Sequence, residues 1–379
     1  MPESLRIAIY YQNNLRSVFI ESLILELKKH TDVYLYTTCA KGEIHFFLES
    51  LGIETFSVKP LGIKKYFPVE YVYQGYKLHR FCRQKKIKVI LSHLQFSNLI
   101  ASIYSRITGV ITIPCRHHID ASFLSGSLNS KLQDKLVSFF SRKQVVVSKQ
   151  AKDFMVREEN ANAAKIEYIP LGYNFSLYPS PEREKVELFK LRFSHKYKLI
   201  MISRHIASKR HDLGLKLLRK LLDKGLDVGL VILDSGPTTS ALMGLASKLE
   251  ISNNVYFEGY QTNVINHLAS CHLLLLPSIQ ESSNQVVKEA SLLSIPSFVC
   301  SGVGDFNDYM KHKKNCFMVD REVFVDKGGQ LLFDLFSNKD WEESLCNLGG
   351  DAKNDILKLF AIEPVAKKYL NLIENINER

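Results

Sequence analysis

The chain has 379 residues, 46% of them hydrophobic and 23% charged, an ordinary globular composition that can bury a sizeable core, and its length suggests two domains. The formal net charge of +11 indicates an anionic partner, either nucleic acid, acidic lipid or a phosphorylated substrate. Seven cysteines without a CxxC pair argue against a disulfide scaffold, and the apolar runs are too short to span a membrane. The N-terminus does not resemble a signal peptide. These features predict a cytoplasmic protein, soluble or peripheral on the inner face of a membrane.

Short apolar runs alternate with helical patterns in the first half of the chain. Strands are predicted at 5–11, 32–38, 88–93, 110–115 and 144–149, and helices at 17–30, 69–86, 97–108 and 127–142. This alternation predicts a parallel sheet with helices on both faces.

The pattern is interrupted at 168–185, where prolines and a glycine in a polar context are typical of a linker. Alternation resumes with strands at 198–203, 227–234, 254–259, 272–277 and 296–300, and with helices at 211–224, near 239–249, at 284–293 and at 363–376. The sequence therefore predicts an α/β protein with two doubly wound domains and a cleft between them. Ligands in such sheets bind beyond the carboxyl ends of the strands.

Two carboxylates flank one of these strand exits. The stretch "LPSIQESSNQVVKEASLLSIP" (276–296) places Glu281 in the exit loop and Glu289 inside the next helix, roughly 7.5 Å further along its axis than the helix start. That helix begins with small polar residues whose free N–H groups favour an anion: Ser282, Ser283 and Asn284. The two carboxylates could hold hydroxyl-rich rings on either side of a diphosphate. Alternatively, Glu281 is a partner of the helix dipole and Glu289 is a solvated helix residue.

A second strand exit carries two cations. In "ISRHIASKRHD" (202–212), Arg204 and Lys209 share the loop after the first strand of the second domain. Two cations there suit a diphosphate leaving group, because they can neutralise the charge that grows in the transition state. The alternative is a basic surface loop. Both features lie at strand exits of one domain, which is less expected by chance than either alone.

Together these motifs resemble those of retaining glycosyltransferase family 4. The matching segments are the E-x7-E pair with its following "EA…P", the Arg…Lys loop, "YIPLGYN" (168–174), "VYFEGY" (255–260) and "SGVGDFNDYMKHKKNCFMV" (301–319), in the family's order over roughly 168–320. The resemblance implies the GT-B fold, with two Rossmann-like domains facing a central cleft. They are an acceptor-binding domain at 1–172 and a nucleotide-sugar-binding domain at 173–360, followed by a helical segment at 361–379 packing back toward the first domain.

The resemblance also implies roles for individual residues. Glu281 would contact the transferred sugar, Glu289 the ribose hydroxyls, and Gly259 the base. Arg204 and Lys209 would bind the diphosphate, beside the helix start formed by Ser282, Ser283 and Asn284. In "CRHHID" (115–120) the family's histidine near the sugar corresponds to His117 rather than His118, unless this is a buried structural histidine. The chain departs from the family in lacking a Gly-Gly pair after the first strand and in having Asn284 and Cys316 where glycine is usual.

No D-x-D motif is present, so neither a metal ion nor another cofactor is expected. The predicted reaction is the retaining transfer of a sugar from a nucleotide-sugar donor to a glycan or lipid-linked acceptor, as in the synthesis of cell-surface polysaccharide or lipopolysaccharide. Two alternatives remain: a GT-B nucleotide-sugar 2-epimerase, which should lack the E-x7-E pair, and a non-catalytic GT-B subunit of a glycosyltransferase complex. An NAD-dependent enzyme is not favoured, because no G-x-G-x-x-G follows a strand.

Residues 64–88 form the most basic stretch, with eight Lys or Arg, one acid and six aromatic residues. A helix with such a face could rest on an anionic membrane surface. Equally, it could be an ordinary amphipathic helix whose aromatic residues lie in the core. RNA binding is compatible with the composition, but no nucleic-acid motif supports it, and no nucleic-acid partner is predicted.

Overall fold

The structure, a computed structural model, describes residues 5–62, 67–120 and 128–377. The chain forms two compact units, Met1–Tyr178 with Phe360–Arg379, and Pro179–Leu359. The first passage between the units therefore lies in the proline-containing stretch 168–185.

The first unit is built on a seven-stranded sheet in the order β3-β2-β1-β4-β5-β6-β7, in which all neighbouring strands are parallel. Its strands are β1 (Arg6–Tyr11), β2 (Asp32–Thr37), β3 (Glu54–Ser57), β4 (Val89–His93), β5 (Ile111–Arg116), β6 (Gln144–Val146) and β7 (Ile166–Tyr168). Its helices, up to the first passage between the units, are α1 (Val18–Lys28), α2 (Glu43–Ser50), α3 (Phe67–Lys85), α4 (Gln95–Thr108), α5 (Leu128–Phe140) and α6 (Lys149–Arg157). The strand order reverses between β1 and β4, as in a doubly wound sheet.

Strand β1 is buried on both faces because helices cover both sides of the sheet. Successive side chains of a strand point to opposite faces. Ile7 and Ile9 therefore pack in one cluster, with side chains of α1 and of the last helix in the chain. Ala8 and Tyr10 pack in another, with side chains of α3 and α4. Helices α3 and α4 thus lie together on one face of the first sheet.

The second unit is built on a six-stranded parallel sheet in the order β10-β9-β8-β11-β12-β13. Its strands are β8 (Tyr197–Ile202), β9 (Val228–Leu233), β10 (Val255–Gly259), β11 (Leu273–Leu276), β12 (Ser297–Cys300) and β13 (Phe317–Val319). Its helices are α7 (Arg183–Arg192), α8 (His211–Asp223), α9 (Thr239–Lys248), α10 (Ile265–Ala269), α11 (Gln285–Leu292), α12 (Phe306–Tyr309), α13 (Asp326–Ser337) and α14 (Trp341–Leu359). Here the order reverses between β8 and β11.

The last helix, α15 (Ile362–Asn377), belongs to the first unit. The N–H of Tyr173 donates to the carbonyl of Phe360 at 2.8 Å and aligns the start of this segment. The predicted α/β class with two doubly wound parallel sheets is confirmed. Within the described ranges, no helix has the length and apolar content that crossing a bilayer requires.

Candidate active site

The two strand exits singled out from the sequence are neighbours in the second unit. Strands β8 and β11 pair directly and form the point where the strand order reverses, the usual ligand position in a doubly wound sheet. The N–H of Ile279 donates to the carbonyl of Ser208 at 2.8 Å, which joins the two exit loops. Lys209 then donates from Nζ to Glu281 Oε1 at 2.6 Å. The structure therefore brings these two predicted residues into one ion pair.

Arg204 leaves β8 on the same loop, and its side chain is exposed. Its guanidinium forms no ion pair with any other residue that the structure describes. The next residue, His205, is buried and holds the loop in place, with Nδ1 2.8 Å from Thr239 Oγ1. Burial lowers the pKa of His205, so its ring adds no charge to the loop at neutral pH. Arg204 is therefore an exposed cation, on a loop held by His205, that can meet an anion.

The helix after Glu281 begins at Gln285, and Asn284 caps it by accepting a hydrogen bond from the N–H of Val287 at 3.0 Å. A side-chain cap satisfies one of the free N–H groups that a helix start presents. The Ser282 hydroxyl is buried and has no hydrogen-bond partner among the described residues. The Ser283 hydroxyl instead donates to Asp305 Oδ2 at 2.6 Å. The Ser283 hydroxyl is thus already engaged within the protein, whereas the predicted anion contact concerns backbone N–H groups at this helix start and stays a prediction.

Glu289 lies on the buried side of α11 and is only 8% exposed. Gln285 donates from Nε2 to its carboxyl at 2.8 Å. Burial raises the pKa of Glu289 to about 7, because a charged carboxylate is costly in a dry surrounding. The alternative of a solvated helix residue is therefore wrong. A buried carboxyl that has one amide partner keeps acceptor capacity for further donors.

An ion pair beneath the site was not predicted from the sequence. Lys288 donates from Nζ to Asp305 Oδ2 at 2.5 Å and to the Ser283 hydroxyl at 3.0 Å, and both charged side chains are at most 1% exposed. This pair links α11 to the loop after β12. Nothing in the sequence points to it, because a lysine inside a helix is normally exposed and an aspartate beside glycines is normally part of a turn.

The loop after β12 approaches the backbone of Glu281 closely. A Cβ at Gly304 would lie 2.8 Å from the Glu281 carbonyl oxygen, and the residue has a φ of +59°. Only glycine combines this left-handed backbone with so close a contact. The predicted base contact, Gly259, ends β10 with a φ of +67° and has no atom within 4 Å of where a Cβ would stand. The space beside Gly259 is open, and its role as a base contact stays a prediction.

The two adjacent histidines of the first unit have different environments. His117 is half-buried, with Nε2 2.9 Å from His93 Nδ1, and burial lowers its pKa to about 3. His118 instead places Nε2 2.6 Å from Asp134 Oδ2, in a network that includes Arg116. His118 therefore contributes to the structure of the first unit. His117 is a neutral imidazole at the carboxyl end of β5, and its predicted role near the sugar stays a prediction.

Over residues 5–62, 67–120 and 128–377, no group of three or more His, Cys, Asp or Glu side chains is arranged to hold a metal ion. Metal-independence remains a prediction, since a metal held jointly with a substrate needs fewer protein ligands.

Comparison with known proteins shows what the second unit and the whole fold are similar to. A family model described as glycosyl transferases group 1 matches residues 183–343. The chain is 30% identical to N-acetyl-alpha-D-glucosaminyl L-malate synthase of Bacillus anthracis over 176 residues, which are 45% of this chain and 43% of that relative. HepE of Anabaena, in complex with UDP and glucose, superposes with a TM-score of 0.80 at 14% identity, covering 98% of this chain and 100% of that chain. A protein of Listeria monocytogenes described as a UDP-N-acetylglucosamine 2-epimerase has a TM-score of 0.65 at 14% identity, over 99% of this chain and 97% of that chain.

Residues 183–343 are therefore similar to the glycosyl transferases group 1 model, and the predicted GT-B fold is confirmed. The matched range contains the second-unit site residues, from Arg204 to Glu289, and excludes His117. The chain aligns with less than half the length of the Bacillus anthracis relative. The solved structures, at 14% identity, establish the fold.

Proposed function

We propose that the protein is a retaining, metal-independent glycosyltransferase that moves a sugar from a nucleotide-sugar donor to a glycan or lipid-linked acceptor. The reaction would serve the synthesis of cell-surface polysaccharide or lipopolysaccharide, at the inner face of a membrane. The observation that carries the proposal is the ion pair of Lys209 with Glu281 where the strand order reverses, beside the exposed cation of Arg204. The UDP and glucose bound by HepE support a nucleotide-sugar donor.

In this proposal the cations act on the leaving group. Arg204 and Lys209 bind the diphosphate of the donor, and their charges neutralise the negative charge that grows as the bond from the anomeric carbon to the phosphate oxygen breaks. When Lys209 turns from Glu281 to the diphosphate, the Glu281 carboxylate becomes free to accept hydrogen bonds from the sugar. In this proposal the Lys209–Glu281 ion pair opens only when a donor is bound.

The acceptor hydroxyl attacks the anomeric carbon from the face that the diphosphate leaves. A carbon–oxygen bond to the acceptor forms as the bond to the phosphate oxygen breaks, and that phosphate oxygen takes the acceptor proton. No enzymic nucleophile is required, and attack on the same face retains the anomeric configuration. Glu289 holds the ribose hydroxyls, and Gly259 leaves room for the base. His117 supplies a neutral imidazole for a hydroxyl of the sugar.

The alternatives make different use of the same fold. The epimerase described for Listeria monocytogenes shares the architecture at the lower TM-score of 0.65. The E-x7-E pair favours transfer over epimerisation. A non-catalytic subunit would not need the Lys209–Glu281 ion pair for its role. A nucleotide-sugar assay that follows both sugar transfer and interconversion of the donor separates the three.

Substitutions of Glu281 and Glu289 should affect UDP binding and turnover differently. Glu281→Gln should leave the affinity for UDP nearly unchanged, because UDP carries no sugar, and should lower turnover sharply, because hydrogen bonds to a carboxylate strengthen as the sugar gains positive charge. Glu289→Ala should weaken the binding of UDP by about 1.5–3 kcal/mol if the charged carboxylate accepts hydrogen bonds from the ribose. Calorimetry with UDP on both variants tests this division. Equal losses of affinity would refute it.

The cationic loop offers a matched control in Arg210, the residue after Lys209. Arg204→Ala or Lys209→Ala should lower turnover by roughly 10²–10³-fold, which is the scale of one lost transition-state donor. Either substitution should also weaken UDP binding. Arg210→Ala should change turnover little, because Arg210 pairs at 2.8 Å with Asp212 in the first turn of α8, whereas Lys209 pairs with the proposed site carboxylate Glu281. If the three variants behave alike, the loop is a basic surface only.

Turnover of the wild type should persist in excess EDTA. A loss of turnover in EDTA that Mg²⁺ restores would contradict metal-independence.

A further inference from the structure

An apolar groove runs between α3 and α4 on the outside of the first unit. Its volume is about 540 Å³, within the range of about 300–1,000 Å³ that small-ligand pockets occupy. Its lining is almost wholly apolar in surface and is drawn from these two helices. The residues that matter here are Tyr71, Val72, Tyr76, Ile103, Tyr104 and Ile107.

Large apolar side chains stand exposed along the rim of this groove. Val72 is 74% exposed, Tyr76 57% and Ile107 78%. The first two belong to α3 and the third to α4, so the exposed apolar surface bridges both helices. Single exposed apolar residues are common, but a contiguous patch that borders an apolar groove marks an interaction surface.

The same two helices are strongly basic. They contain Lys77, Arg80, Arg83, Lys85 and Arg106 against the one acid Glu70. Lys85 is neutralised by Glu54 at 2.5 Å, and Glu70 accepts hydrogen bonds from the Leu61 N–H and from Gln74. The three arginines are exposed and form no ion pair with any residue in the described part of the chain.

These arginines continue the apolar stripe rather than oppose it. Arg80 stands four positions after Tyr76, and Arg83 four positions after His79, another lining residue, so each lies one helical turn beyond the groove on nearly the same side. Arg106 directly precedes Ile107 on α4. The surface therefore combines an apolar centre with a cationic margin.

We infer that the α3–α4 groove is a membrane-docking surface for a bilayer that contains anionic lipid. Val72, Tyr76 and Ile107 enter the boundary of the acyl chains, the groove receives lipid tail, and Arg80, Arg83 and Arg106 meet the lipid phosphates. The sequence associated membrane contact with residues 64–88 alone. The structure adds α4, which supplies Ile107, Arg106 and half of the groove.

A second copy of the chain fits this surface less well. A symmetric dimer would place the same patch on both sides and bring two sets of unpaired arginines together. Like charges that face one another across an interface are destabilising. Anionic lipid removes that repulsion and fills the apolar centre. The surface also explains how a protein of the proposed function would reach a lipid-linked acceptor, and only this consequence rests on the proposed function.

The test is sedimentation of the full chain with vesicles of phosphatidylcholine alone or mixed with phosphatidylglycerol. The wild type should bind the anionic vesicles and be released by salt, which screens surface charge beyond a Debye length of about 8 Å at physiological ionic strength. Val72→Glu with Ile107→Glu, and separately Arg80→Glu with Arg83→Glu, should each weaken binding by about tenfold or more. Leu191→Glu is the matched control, since this apolar residue of α7 in the second unit is 77% exposed and should leave binding unchanged.

Calorimetry with UDP on the same proteins separates this inference from the proposed function. Unchanged UDP affinity in variants that lose vesicle binding supports the inference, and a wild type that binds vesicles but neither UDP nor any other nucleoside diphosphate contradicts the proposed function alone. Equal binding to neutral and anionic vesicles, or equal binding by the wild type and both double variants, overturns the docking surface. A dimer in light scattering that the Val72/Ile107 variant abolishes, with no vesicle binding by the wild type, assigns the groove to a second copy and also overturns it.

Discussion

Glu289 carries a carboxyl group that changes charge in the physiological pH range. Burial raises its pKa to about 7, from a usual value near 4.5. In the proposed donor site this group accepts hydrogen bonds from ribose hydroxyls, and the ionised form is the stronger acceptor. Donor binding should therefore improve as the pH rises through about 7, and bound donor should in turn favour the ionised form by linkage.

The same residue predicts a pH dependence of stability. A carboxyl whose pKa is raised by folding stabilises the folded protein fully below its unfolded pKa and loses that contribution as the pH rises through its folded pKa. The shift from 4.5 to about 7 corresponds to about 3 kcal/mol. Glu289→Gln removes this titration. As the pH rises from about 4.5 to 7, the free energy of unfolding of the wild type should therefore fall relative to that of Glu289→Gln.

This prediction concerns the difference between two proteins, because buried histidines oppose the trend. Burial lowers the pKa of His211 and of His272 to about 4, so the folded protein gains stability with rising pH on their account. These groups are the same in wild type and variant and cancel. Melting temperatures measured from pH 4.5 to 8 give the difference, and parallel curves would show that Glu289 keeps an ordinary pKa.

At the scale of single residues, the sequence placed Glu281 and Lys209 at strand exits of one domain but predicted neither their ion pair nor the burial of Glu289. Both residues could be assigned to the same edge in advance because each follows an apolar run, and the exits of parallel strands share one edge of a sheet. The burial of Glu289 and Lys288 depends on what packs over α11. That covering comes from distant segments such as the loop at Asp305, which no local pattern indicates.

At the scale of elements, the loop after β12 fixes the position of Glu281. Its two glycines share a left-handed backbone, with φ of +69° at Gly302 and +59° at Gly304. Their surroundings differ. A Cβ at Gly304 would meet the backbone of Glu281, whereas no atom lies within 4 Å of a Cβ at Gly302. The pair therefore separates backbone strain from contact with the site.

Both Gly302→Ala and Gly304→Ala should lose about 1 kcal/mol of stability through the cost of a left-handed alanine, and Gly304→Ala should lose more, because its methyl group would meet backbone atoms of Glu281. Only Gly304→Ala should also lower turnover, because its methyl group has to displace Glu281. Turnover with a nucleotide-sugar donor, compared with melting temperature, distinguishes the two effects. Matching losses of turnover in both variants would mean that strain in the loop, and not the contact with Glu281, is what matters.

Elements were predictable where one apolar run forms one strand. Strands β1, β8, β9 and β11 follow uninterrupted runs and were predicted within a few residues. Helices α13 and α14 were not predicted, since each contains a Gly-Gly pair that lowers helix propensity. All of these glycines except Gly350 serve packing: a Cβ at Gly349, for example, would lie 1.8 Å from the Ser294 carbonyl oxygen. A sequence cannot distinguish a glycine that breaks a helix from one that lets another segment approach it.

At the scale of the whole molecule, the chain leaves the first unit and returns to it. Helix α15 completes the core of the first unit with six buried apolar side chains: Ile362, Val365, Ala366, Tyr369, Leu372 and Ile373. They pack with Ile7 and Ile9 of β1. The single tryptophan, Trp341, lies in the second unit and is buried against Phe336 and Tyr197. Its fluorescence therefore reports on the second unit alone.

This arrangement predicts a selective loss of stability when α15 is altered. Ile373 is fully buried, so Ile373→Ala should cost about 2–5 kcal/mol, through lost apolar burial and the cavity left behind. The cost should fall on the first unit. Far-UV circular dichroism should show part of the protein unfolding at lower denaturant, while the transition seen by Trp341 fluorescence stays in place. Lys367→Ala, on the exposed side of the same helix, is the control and should change neither transition by more than about 0.5 kcal/mol. A shift of the Trp341 transition as large as that of the circular dichroism signal would show that the two units unfold together and would contradict the predicted selective loss.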